Sequence, residues 1–150
     1  MLRVQPLDGH IASVPGRMSV VLANDHRALR RRLRWLLERE DDLDIVGEAS
    51  DFEAALHEVA VERPDVLVLD LRMPDGFIPE RIERLRAASP HTEIVVTTMH
   101  ENEAFANVAL RAGAVGFVLA DFADCELVEA VRAAVRGLPY TSPRIRRAVA

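Results

Sequence analysis

Between Met18 and Gly137, short apolar runs alternate five times with amphipathic stretches. Val20–Asn24 is an apolar run closed by a polar residue, the pattern of a strand buried on both faces. Ala28–Glu40 places Leu29, Leu33, Leu36 and Leu37 at i, i+4, i+7 and i+8, which predicts a helix with one apolar stripe. Asp44–Ala49 reads as a second strand, and Asp51 is suited to cap the helix that runs on to Val61. After Pro64, the run DVLVLD (Asp65–Asp70) predicts a third strand, and a helix follows from Pro79 to Ala87. Thr92–Thr98 is the fourth strand, Glu101–Ala112 a helix closed by Gly113, Val115–Leu119 the fifth strand, and Asp124–Arg136 a helix closed by Gly137.

Strands that alternate with helices imply parallel βαβ units in a sheet covered on both faces. Five such units in this length predict an α/β, flavodoxin-like, doubly wound five-stranded sheet, (βα)5, with strand order 2-1-3-4-5. Residues 1–17 mix Pro, Gly and polar residues without period and read as a flexible tail, and 139–150 read as the start of a linker.

In such sheets ligands bind beyond the carboxyl ends of the strands, where the strand order reverses. That rule selects Asn24 and Asp25 after the first strand, Asp70 at the end of the third, and Thr97 and Thr98 at the end of the fourth. Asp25 and Asp70 make a carboxylate pair. Two close carboxylates raise one another's pKa unless a cation lies between them. Carboxylate and carbonyl oxygens select a hard ion such as Mg²⁺. A carboxylate is also a nucleophile toward phosphorus, and the Thr98 hydroxyl is of a kind that donates to a phosphoryl oxygen. For any one of these residues, ordinary helix capping at a strand end is explanation enough; the set on three strands favours chemistry.

Composition narrows the setting. The chain has 150 residues and a net charge of −5, which argues against bulk nucleic-acid binding by this segment. Its one cysteine, Cys125, permits no internal disulfide and suits a reducing compartment, the cytoplasm. No apolar run approaches the roughly 18 residues of a membrane span, and the N-terminus lacks the apolar core of a signal peptide. All 19 basic residues are Arg. There is no G-x-x-x-x-G-K-[ST] and no G-x-G-x-x-G after a strand, so nucleotide enzymes are not indicated.

Over Met18–Pro143 the chain resembles the receiver domains of two-component response regulators. The resemblance lies in VLANDHRALRRRLRWLLERE, IVGEASDFEAAL, RPDVLVLDLRMPDG, VVTTMH and LRAGAVGFVLAD. TMH, GAVGFVL and GLPYTSPRI are most similar to the NarL/FixJ (LuxR-type) branch. The resemblance implies that residues 18–138 form a receiver domain whose phosphoacceptor is Asp70. It implies Asp25 as a direct Mg²⁺ ligand, Arg72 as the residue offering a backbone carbonyl to the metal, and Asn24 as a ligand through water. Thr98 matches the switch hydroxyl, Phe117 the aromatic switch position, and Met73-Pro74 the loop after the phosphosite. A sensor histidine kinase is the implied donor, and homodimerisation or transcriptional control the implied output. DNA would be reached only through a C-terminal helix-turn-helix domain beyond these residues. The implied role is that of a signalling domain, not an enzyme.

Two positions depart from the family pattern. Asn24 stands where the first of two acidic residues is expected, and Ala120 stands where the family carries a Lys. A source that replaces Lys by Arg would have placed Arg at 120. These departures motivate an alternative, a pseudo-receiver acting as a phosphorylation-independent binding or dimerisation module. A haloacid-dehalogenase-type hydrolase would need a second Asp two residues after the nucleophile, and that position is Arg72. Among the other features, Arg27, Arg31 and Arg34 share a helix face that reads as solvated, with docking to an acidic partner or a second copy as the alternative. Trp35 reads as core or rim, His26 as filling the first turn of its helix, His100 as a loop histidine and Cys125 as a small apolar side chain.

Overall fold

A computed structural model describes residues 16–73, 79–99 and 103–143. The expectations for residues 1–15, Pro74, His100 and 144–150 lie outside the described residues. Strands β1 (Met18–Ala23), β2 (Leu43–Ala49), β3 (Val66–Asp70), β4 (Glu93–Thr98), β5 (Gly116–Leu119) and β6 (Tyr140–Thr141) form one parallel sheet in the order β2-β1-β3-β4-β5-β6. Helices α1 (Arg27–Glu38), α2 (Phe52–Glu62), α3 (Pro79–Ala88), α4 (Glu103–Ala112) and α5 (Ala123–Val135) connect the first five strands and follow the fifth. The five-stranded order read from the sequence is present as the core of this sheet.

Strand alternation divides the core in two. Val20, Leu22, Val66 and Val68 face α1 and α5, where Leu33, Leu37, Leu127 and Val131 are wholly buried. Val21, Leu67, Ile94 and Phe117 face α2, α3 and α4, where Ala55, Val59 and Ile82 are wholly buried. Each large aliphatic side chain so placed contributes about 1.5–3 kcal/mol of burial. Because both faces are covered, the strands read as continuous apolar runs, and only their ends are polar.

The helix ends follow local chemistry. Asp51 caps α2, its Oδ1 accepting the Ala54 N–H at 2.7 Å. His26 caps α1, its Nδ1 accepting the Leu29 N–H at 3.1 Å. Helix α2 ends on Arg63 in the left-handed conformation, φ 45°, where a residue with a Cβ is disfavoured. The exposed Arg63 side chain shares none of this; its N–H reaches Val59 O, and its carbonyl lies 2.9 Å from His91 Nε2. Arg63→Gly is therefore expected to stabilise the fold by about 0.5–1 kcal/mol, seen as a higher urea midpoint at unchanged slope.

Several expectations are corrected. The sheet has a sixth strand: Tyr140 N–H donates to Val115 O and Ser142 N–H to Phe117 O, so the segment read as the start of a linker is stitched to β5. Its two residues are too short to carry a period. A 3-10 turn, Ala120–Phe122, stands between β5 and α5. Trp35 is 58% exposed, because the stripe Leu33–Leu36–Leu37 leaves it on the outer face, where the Arg39 guanidinium covers its ring at 4.6 Å. Cys125, read as a small apolar side chain, is exposed on α5. No helix among the described residues is long and apolar enough to cross a membrane.

Candidate functional site

The sheet register assembles the site. Ala23 is paired with Leu69, so Asn24 and Asp70 are the next residues on adjacent strands, and Asp70 is paired with Thr97. A cavity of about 870 Å³ opens above these strand ends. Asp25, Asp70 and Arg72 line it from the strand ends, Leu29 and Arg32 from α1, and Ala120 from the turn after β5.

Asp70 is buried, with 8% of its surface exposed. That burial pushes its carboxyl above the usual carboxylate range, and the charge of Asp25 pushes it the same way. The Arg72 N–H, which donates to Asp70 Oδ1 at 2.9 Å, pulls it down, as do the charges of Arg72 and His26. Asn24 is wholly buried. Its Oδ1 accepts the His26 N–H at 2.8 Å, and its backbone carbonyl accepts from Arg30 Nη1 at 2.6 Å. Arg30 in turn donates through Nε to Glu48 Oε1 at 2.9 Å, so α1, β2 and the end of β1 are braced together.

The donors suit a hard divalent cation. Two carboxylates, one of them pushed above the usual carboxylate range by burial and by its neighbour, line one cavity with Arg72, and a cation there would relieve both penalties. Among the described residues no three His, Cys, Asp or Glu side chains converge as a metal cluster. A Mg²⁺ site needs only one or two carboxylates, with water and phosphate oxygens completing it. Asp25, Asp70 and the Arg72 carbonyl are the residues that would hold it.

Of the residues singled out from the sequence, Asp25, Asp70 and Arg72 share the cavity wall. Asn24 lies beneath it, fully buried. Thr98 and Phe117 are buried on β4 and β5, Thr98 paired with Leu119 and Phe117 with Val96, and neither lines the cavity. Leu29, Arg32 and Met99 were not anticipated at the site. Leu29 and Arg32 are there because α1 leans over the strand ends and Met99 because it follows β4, placements that no local pattern encodes. The basic face of α1 is in part tied down: Arg34 pairs with Glu38 and Glu48, and Arg32 with Asp124.

Comparisons with known proteins agree with this fold. The family described as response regulator receiver domain matches residues 20–132. The oxygen regulatory protein NreC of Staphylococcus carnosus is 34% identical over 131 residues, covering 85% of this chain and 59% of that protein. The chain thus spans less than two thirds of that relative's length. Among solved structures, a LuxR-family two-component response regulator from Aurantimonas sp. SI85-9A1 superposes with a TM-score of 0.82 at 33% identity, over 87% of this chain and 94% of that one. The signal receiver domain of the putative response regulator NarL from Mycobacterium tuberculosis superposes with a TM-score of 0.76 at 32% identity, over 82% of this chain and 99% of that one.

Proposed function

The chain belongs to the response regulator receiver family, among regulators of the NarL and LuxR type, and from that premise we propose that Asp70 accepts a phosphoryl group from a sensor histidine kinase. The observation that supports this most is the Asp70 carboxyl itself: buried at a strand end, opening on a cavity it shares with Asp25. A carboxylate oxygen of Asp70 attacks phosphorus, the bond from phosphorus to the donor nitrogen breaks, and the electron pair leaves with the donor. Mg²⁺, when bound, neutralises charge on the transferred oxygens. Asp25 and the Arg72 carbonyl would fix its position. The Arg72 N–H holds one Asp70 oxygen, leaving the other to react. The Thr98 hydroxyl then serves the phosphoryl oxygens, and a shift at Thr98 and Phe117 carries the new charge to the β4–β5 face, a two-state population shift.

Residues 18–138 would be the receiver unit, with Tyr140–Thr141 added to the edge of its sheet, and the chain beyond them the approach to an output domain. The setting is the cytoplasm and the output dimerisation, with DNA contacted only by a further domain. In the presence of Mg²⁺ and beryllofluoride, a mimic of the bound phosphoryl group, sedimentation analysis should show a shift from monomer toward dimer that Asp70→Asn lacks. An unchanged distribution, or the same shift in both proteins, would favour the phosphorylation-independent module.

A further inference from the structure

We propose that the hollow beside Ala120 receives the hydrocarbon chain of a small-molecule phosphodonor, so that Asp70 is also phosphorylated by medium-chain acyl phosphates, in preference to acetyl phosphate. The proposal rests on Asp70 being the phosphoacceptor. In an in-line displacement the leaving group stands on the far side of phosphorus from the attacking oxygen. Asp70 lies on the wall of a cavity of about 870 Å³, so that far side is the cavity itself. This is room for a small organic molecule, far more than a phosphoryl group fills.

What would surround the leaving group is in good part apolar. Ala28 and Leu29 line the cavity from α1, Met99 from just beyond β4, and Ala120 from the turn after β5. Ala120 is buried and carries only a methyl group, so it forms wall without filling space. Met99 is half-exposed, an unbranched side chain of the kind that adapts to the shape of an apolar occupant. Arg27, exposed on the same wall, suits the carboxylate that departs. Burying a hydrocarbon chain against this wall is worth about fourfold in affinity per methylene. The step balances without a proton. An Asp70 oxygen attacks phosphorus, the bond from phosphorus to the acyl oxygen breaks, and its electron pair leaves with the carboxylate.

The test compares acetyl and hexanoyl phosphate, whose carboxylate leaving groups are equally good, as donors to the full chain in Mg²⁺, reading intact mass over time. At equal, subsaturating concentration, hexanoyl phosphate should label Asp70 at least about tenfold faster than acetyl phosphate. That ratio should fall at least about fivefold in Ala120→Met, which fills the hollow, and in Met99→Gln, which makes the wall polar. If Ala120→Met does not fold, Met99→Gln at its half-exposed position decides. A second arm needs no transfer. Hexylphosphonate, whose phosphorus cannot be passed on, should shift the methyl NMR resonance of Met99 saturably and leave that of Met18, which packs on the α1–α5 side of the core, in place. A ratio near one while acetyl phosphate still labels, a ratio that both variants keep, or a Met99 resonance that does not move would overturn the acyl site and leave the reading of Asp70 standing. No labelling by either donor would overturn that reading, and the proposal with it.

Discussion

Asp70→Asn is expected to yield a protein that takes up no phosphoryl group and yet melts higher than the parent. The carboxyl is held above its ordinary range chiefly by burial, with Asp25 adding to it. A carboxyl whose pKa is higher folded than unfolded binds its proton more tightly in the native state. Stability therefore falls as pH rises from the unfolded value through the folded one, and the penalty is complete above both. Asparagine carries no such penalty and still offers an oxygen to the Arg72 N–H, which donates at 2.9 Å in the parent. A higher melting temperature than the parent's is therefore expected at pH 7. Calorimetry of the two proteins should show the gap close below about pH 4, where both side chains are neutral. A variant that melts lower than the parent at pH 7 would contradict the strained-site account.

Phe117→Ala is expected to be the most damaging single truncation in the β4–β5 region, costing about 3–5 kcal/mol. The ring is wholly buried in the α2–α3–α4 face of the core, on a strand of only four residues. Its carbonyl also receives the Ser142 N–H at 2.9 Å, so loosening β5 loosens the added edge strand with it. A domain of this kind has a total stability of about 5–15 kcal/mol, so much of it would be gone. Phe117→Leu keeps most of the volume and should cost less than about 1.5 kcal/mol. Urea denaturation of both variants checks this. A loss below about 1 kcal/mol for the Ala variant would mean that the site collapses or that the ring is not well packed.

Much of this architecture was legible because its strands are buried on both faces. DVLVLD and TEIVVTT are runs that only a covered parallel sheet explains, and the polar residues that end them mark the carboxyl edge. The caps were legible too, since Asp51 acts through its own side chain on the N–H three residues on. What stayed hidden depends on tertiary placement. Tyr140–Thr141 becomes a strand because β5 offers a free edge, not because two residues have a pattern. Trp35 is apolar in type, and only the azimuth of α1 turns it outward. At the site, chain order alone brings Asp25 and Asp70 to one edge. That the wall at Ala120 is open, and that the Asn24 oxygen is committed to the His26 N–H, are facts of packing.

The central claim is that Asp70 accepts a phosphoryl group in a site lacking a lysine at position 120. Intact-protein mass spectrometry after incubation with Mg²⁺ and acetyl phosphate, with Asp70→Asn alongside and the cognate kinase as an additional donor, tests it most directly. The account predicts the mass gain of one phosphoryl group in the parent, dependent on Mg²⁺ and absent from the variant. No gain with either donor, or an equal gain in the variant, would contradict it.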